Sequence, residues 1–206
     1  MRKPLLTALA AAAVILPVSM ARAQLPPGVY AGQPDAGLAP AGDYGLDADH
    51  TAVIAKVSHI GYSVSVFRLN KVEAKLHWDP STPASNTLEA KVETASIATP
   101  VAGFATELAG PEYLDSKKFP RAEFTSTHFV KIDATHALVE GNFTLLGKTV
   151  PLTFTVELIG AGKGFMGHPR IGAEATTTLK TADFGLPEVL GPNVQLVIDT
   201  EFAKLN

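Results

Sequence analysis

Asp47-Ala48-Asp49-His50 packs two carboxylates and an imidazole into four residues, a donor set that would suit a divalent transition metal. Adjacent residues in one turn seldom converge on one ion. Aspartates that bond their own backbone at the start of a strand account for the same residues. The other histidines, His59, His77, His128, His136 and His168, are scattered. His77 and His136 fall on solvent faces, whereas His128 shares its parity with Phe124 and Val130, which puts it inside a barrel or at its mouth. A base at His50 or His128 would define a hydrolase. No Gly-x-Ser-x-Gly elbow, glycine-rich phosphate loop or paired-histidine zinc motif supports such chemistry. Asn142-Phe143-Thr144 satisfies the glycosylation sequon, but it lies within a strand pattern rather than an exposed loop. On this reading there is no catalytic residue, no metal site and no cofactor, and the chain is not an enzyme.

The elements around these residues are strands. In the stretch 140–158 two runs with period-two alternation meet at Leu146-Gly147-Lys148, the pattern of a β-hairpin with one dry and one wet face. Gly147 can take the positive φ that a short hairpin loop requires, and Pro151 falls on the wet face. Further strands are expected at 52–57, 62–69, 71–78, 87–95, 122–132, 137–145, 150–158, 171–180 and 194–205. One short helix is expected at 101–108, entered through Thr99-Pro100. The segments 109–120 and 183–192 are expected as loops, the second broken by Gly185, Pro187, Gly191 and Pro192. Eight or nine amphipathic antiparallel strands bury their apolar faces as a two-sheet sandwich or as a closed barrel. Strands of roughly ten residues, at about 3.3 Å per residue and a tilt near 40°, would make a barrel roughly 25 Å deep, enough for a long ligand.

The chain of 206 residues is 46% hydrophobic and 18% charged, a composition for one domain with one sizeable core. A formal net charge of −3, with both signs mixed along the strands, argues against nucleic acid as a partner. The absence of cysteine excludes disulfides, thiolate sites and a lipid-modified N-terminal cysteine. Arg2 and Lys3 precede an apolar run from Leu5 to Val18, followed by Ala21-Arg22-Ala23, which predicts a signal peptide over 1–23 cleaved after Ala23 and export to the periplasm. The run is shorter than a membrane span and Pro17 interrupts its end. Residues 24–42, rich in proline and glycine, are expected as a disordered leader, with the domain at 43–206.

Several short strings, in order, make the chain resemble the YceI family of exported, lipocalin-like lipid-binding proteins. They are Asp47-x-x-His50-Thr51, His59-Ile60-Gly61-Tyr62-Ser63, Ala95-Ser96-Ile97-Ala98-Thr99, Phe119-Pro120 with Phe124-Thr125-Ser126-Thr127, the hairpin Gly141 to Thr149, and Asp183-Phe184-Gly185. The resemblance implies an all-β, eight-stranded antiparallel lipocalin-like barrel around an apolar pore. It also implies a polyisoprenoid or isoprenoid-quinone-like ligand, with no reaction attached. The ligand-binding residues expected on the dry faces are Tyr62, Phe67, Leu76, Trp78, Phe124, His128, Phe143, Leu152, Phe154 and Phe184. Three positions depart from the family pattern. Phe67 and Leu69 replace a Gly-x-Phe, Glu107 replaces a histidine and Thr181 replaces an arginine. The last two imply a less anionic head group, and Phe67 reshapes or narrows the pore. A barrel filled by its own side chains, serving as a stress-related structural or interaction module, is the rival reading, a lipid-modifying hydrolase with His50 or His128 as base is a third, and a homodimer is compatible with the first two.

Overall fold

A computed structural model describes residues 25–206; the expected signal peptide lies outside the described residues. Among the described residues eleven strand segments make eight staves of a closed antiparallel barrel. The first stave is β1 (Gly42–Leu46) and β2 (Ala52–His59), the second β3 (Ser63–Leu69) and β4 (Val72–Trp78), and the third β5 (Thr87–Glu93) and β6 (Ile97–Ala98). Five uninterrupted staves follow: β7 (Arg121–Lys131), β8 (His136–Leu145), β9 (Lys148–Gly162), β10 (Arg170–Lys180) and β11 (Asn193–Lys204). Each stave pairs with the next. The ring closes because the first half of β11 pairs with β2, Val194 opposite Val57, and its second half with β1, Phe202 opposite Leu46. Closure leaves no stave without a neighbour on either side, although Ser63–Phe67 of β3 are unpaired on the β6 side, and this limits the hazard of an open sheet.

The alternation read from the sequence is reproduced where strands are regular. Along β4, Glu73, Lys75 and His77 are exposed while Leu76 is buried and Ala74 and Trp78 are half-buried. The hairpin turn is tighter than expected. Leu146 and Gly147, with φ of 52° and 73°, form the whole loop, and Lys148 already pairs with Leu145, the positive-φ pair of a type I′ connection. A β-carbon on Gly147 would lie 2.7 Å from Phe119 Cε1, so loop 109–120 rests on this turn.

Three expectations are corrected. The helix is shorter: α1 spans Phe104–Leu108 with Gly103 at its N-cap, because Thr99 Oγ1 accepts from Val101 N at 3.3 Å and caps a preceding turn instead. A second short helix, α2 (Thr181–Phe184), occupies the start of the expected second loop. The proline- and glycine-rich leader is placed against the barrel: its described part forms β-bridges from Val29 to Phe165 and from Gln33 to Ala161, a 3-10 turn at Ala36–Leu38, and a fully buried contact at Ala39. Backbone pairing with the β9–β10 connection, which composition cannot report, holds it there. Among the described residues no helix is long and apolar enough to cross a membrane.

Candidate ligand tunnel through the barrel

Inward positions along the barrel alternate between large and small side chains. Ala90 stands opposite Phe124, and Ala175 stands opposite Val156 on one side and Ile198 on the other. Short side chains on the dry face leave volume that the neighbouring rings do not fill. The result is three abutting cavities of about 160, 100 and 150 Å³ along the barrel axis. The outer and central chambers share Leu88, Val139, Val156 and Phe202 as walls; the central and inner chambers share Val53, Val92, Phe124 and Phe154. Together they line up as one apolar tunnel divided by these shared walls.

Its two ends differ. The outer chamber opens between the loop after Trp78 and the β7–β8 turn, where Asn86, Lys131, Asp133 and His136 add polar groups to the rim. Asp133 accepts hydrogen bonds from Thr135 N and His136 N, both at 2.8 Å, and lies 3.0 Å from His136 Nδ1. The Thr135 backbone bond, followed by the His136 side chain, holds its carboxyl down at about 2. The inner chamber is lined by Phe67, Leu108, Tyr113 and Leu186 and capped by α1 and the loops.

Of the residues expected to line a pore, Leu76 and Trp78 wall the outer chamber, Phe124 and Phe154 the junction of the central and inner chambers, and Phe67 and Phe143 the inner one. Leu152 packs against the core beside the tunnel. Phe184 is buried to 2% behind Phe143, ring centroids 5.6 Å apart, and supports the wall instead of lining it. Neither of these two lines a chamber, and two further expected residues lie on the outer surface. Tyr62 is 89% exposed, since it belongs to the β2–β3 turn, and residues five apart on a strand, as Tyr62 and Phe67 are, point to opposite faces. His128 is also outside, its side chain 71% exposed and 3.7 Å from Glu140. A bulge between Ser126 and His128 inverts the parity of β7, so Phe129 turns inward to the outer chamber and Val130 turns out. The sequence carries no plain mark of that extra residue, and Phe129 was missed for this reason.

The remaining candidates for chemistry stay outside the tunnel. Asp47 caps the 3-10 turn Ala48–His50, accepting from Asp49 N at 3.2 Å, and its other oxygen meets Arg170 Nη1 at 2.5 Å. That guanidinium bond holds the Asp47 carboxyl below the usual carboxylate range. His50 lies 3.1 Å from Asp47 with its side chain 65% exposed. Glu107 is exposed, and Thr181 is buried with its hydroxyl donating to Gly191 O at 2.7 Å. Neither residue lines a chamber, so these two altered positions do not mark the polar mouth.

A family model described as a YceI-like domain matches residues 44–202. A UPF0312 protein of Pseudomonas putida strain W619 is 35% identical over 173 residues, covering 82% of this chain and 90% of the relative. One from Shewanella baltica is 31% identical over 194 residues, covering 93% and 92%. Among solved structures, Burkholderia cenocepacia BcnA superposes with a TM-score of 0.69 at 18% identity, covering 76% of this chain and 98% of BcnA. A polyisoprenoid binding domain from Saccharophagus degradans, implicated in plant cell wall breakdown, superposes at 0.59 with 12% identity, covering 79% and 98%. The two superpositions concern the fold.

Proposed function

The chain belongs to the YceI-like domain family, and from that premise we propose that it binds a long-chain isoprenoid lipid, of polyprenyl or isoprenoid-quinone type, non-covalently and without turnover, as a carrier or sequestering protein of the periplasm. The observation that carries this reading is the apolar tunnel along the barrel axis, polar only at its Asp133 rim. Each buried methylene contributes about 0.8 kcal/mol, so a prenyl tail threaded past Phe124 and Phe154 supplies most of the affinity without specialised polar groups. The head group then sits at the outer mouth, beside Asn86, Lys131 and His136. Support for location comes from the N-terminal pattern that ends in Ala21-Arg22-Ala23.

Organic extraction of protein purified from its native host, followed by mass spectrometry, tests the reading. Stoichiometric intact prenyl lipid is expected. Lipid-free protein with no affinity for added quinone or polyprenol would overturn it, and conversion of added lipid abolished by His50→Ala or His128→Ala would make the protein an enzyme. For location, intact mass of periplasmic extract should show a chain that begins at Gln24; a retained 1–23 segment would count against export with cleavage.

A further inference from the structure

The two ends of the tunnel are bounded differently. At the inner end, Leu108, Tyr113, Leu114, Leu186 and Leu190 join the same apolar core as Phe143. At the outer end, beside the opening at the loop after Trp78, part of the rim is the stretch 25–41, which belongs to no barrel stave and reaches the outer chamber through Ala36. Gln33 and Ala161 exchange both backbone hydrogen bonds, at 3.0 and 2.8 Å, Tyr30 N donates to Gly164 O at 3.2 Å, and Met166 N donates to Gly28 O at 2.8 Å. Side chains add Lys163 Nζ over the Tyr30 ring, 5.7 Å from its centroid, and two alanines. Ala36 and Ala39 pack on Leu76, Leu158, Ile171 and Phe202, and Ala36 is itself part of the outer chamber wall. Residues 31–35 are exposed, and a groove of about 560 Å³ lies between Val29, Tyr30 and Gly32 on one side and Ile159, Phe165 and Arg170 on the other.

A segment held by a few backbone bonds, one cation–π contact and two alanines opens at small cost, because local opening energies follow buried apolar contact. Just beyond it the chain is pinned, by Tyr44 Oη donating to Pro40 O and Lys204 Nζ donating to Ala41 O, both at 2.7 Å. We propose that residues 25–38 are a strap hinged at Ala39, and that cargo enters and leaves the tunnel beneath it, by the Trp78 mouth, while the inner end stays shut. The proposal rests on the lipid-binding reading only for the identity of the cargo.

Gly32 offers the test. A β-carbon there would lie 3.2 Å from Gly160 Cα, so Gly32→Val prises the strap from the wall without entering the barrel. Trp78 is the single tryptophan and walls the outer chamber, so quenching by a short-chain ubiquinone in stopped flow reports binding in protein made from the full-length sequence. In Gly32→Val, and in a variant lacking residues 26–35, association and dissociation rates should both rise roughly tenfold or more, with little change in Kd, as removal of a gate requires. Unchanged rates in both variants would overturn the proposal while leaving lipid binding intact. If the unaltered protein binds neither quinone nor polyprenol, the lipid reading fails, and hydrogen exchange decides the strap separately. The Ala161 amide should then exchange roughly a hundredfold or more faster than β9 amides inside the barrel; equal protection would overturn the strap.

Discussion

The rings of Phe124 and Phe154 meet edge to face, centroids 5.0 Å apart and planes at 79°, where the central chamber gives way to the inner one. The pair narrows the tunnel midway, and each ring borders empty volume on both sides.

That placement separates two kinds of buried phenylalanine. Phe154→Ala should cost less than the roughly 3 to 5 kcal/mol of a well-packed core phenylalanine, since part of its surroundings is already void. Phe184→Ala, behind the wall and 2% exposed, should cost the full amount. Urea unfolding of lipid-free protein checks both, and equal penalties would favour a barrel filled by its own side chains.

At Gly141 the bulged strand β7 presses directly on β8. A β-carbon there would lie 2.4 Å from Thr125 O and 2.5 Å from Phe124 Cζ, and a backbone oxygen cannot swing aside. Gly141→Ala should destabilise the protein by about 1 to 3 kcal/mol, the range for overpacking, and should displace the Phe124 ring. Thermal unfolding measures the first effect and aromatic NMR shifts the second.

Tail burial should dominate affinity. Shortening a prenyl chain by one five-carbon unit should weaken binding more than exchange of one neutral head group for another, because each methylene removed forfeits about 0.8 kcal/mol of burial. A titration series in the reverse order would place specificity at the Asn86, Lys131 and His136 rim.

Acid should loosen that rim in a defined window. The Asp133 carboxyl, at about 2 in the folded protein against an ordinary 3.8, favours the folded loop at every pH above its ordinary value. The contribution falls away as pH drops from about 4 toward 2, where the proton binds and the Thr135 and His136 bonds weaken. Asp133→Asn should remove this acid response, read as the pH dependence of the His136 amide shift. A loop that loosens on the alkaline side instead would contradict the assignment.

Much of this was legible in the chain itself. Period-two alternation in 71–78, 87–95 and 140–158 placed strands and their wet faces, because on a regular strand the covalent pleat alone decides which residues share a side. For the same reason Trp78, Phe143 and Phe154 were recognisable as dry-face residues. The ordered motifs from Asp47 to Gly185 pointed to one family, and with it to a closed barrel that alternation could not distinguish from a sandwich. Tertiary structure decided the rest. A bulge at Ser126–His128 exchanged the roles of His128 and Phe129, and an extra residue in one strand is defined only against its partner. Alanines facing phenylalanines across the staves left the tunnel open; a volume depends on which side chains face one another, not on their number. The leader found its place through backbone bonds of Gln33 with Ala161, and such bonds depend on where two distant peptide groups meet rather than on the side chains they carry.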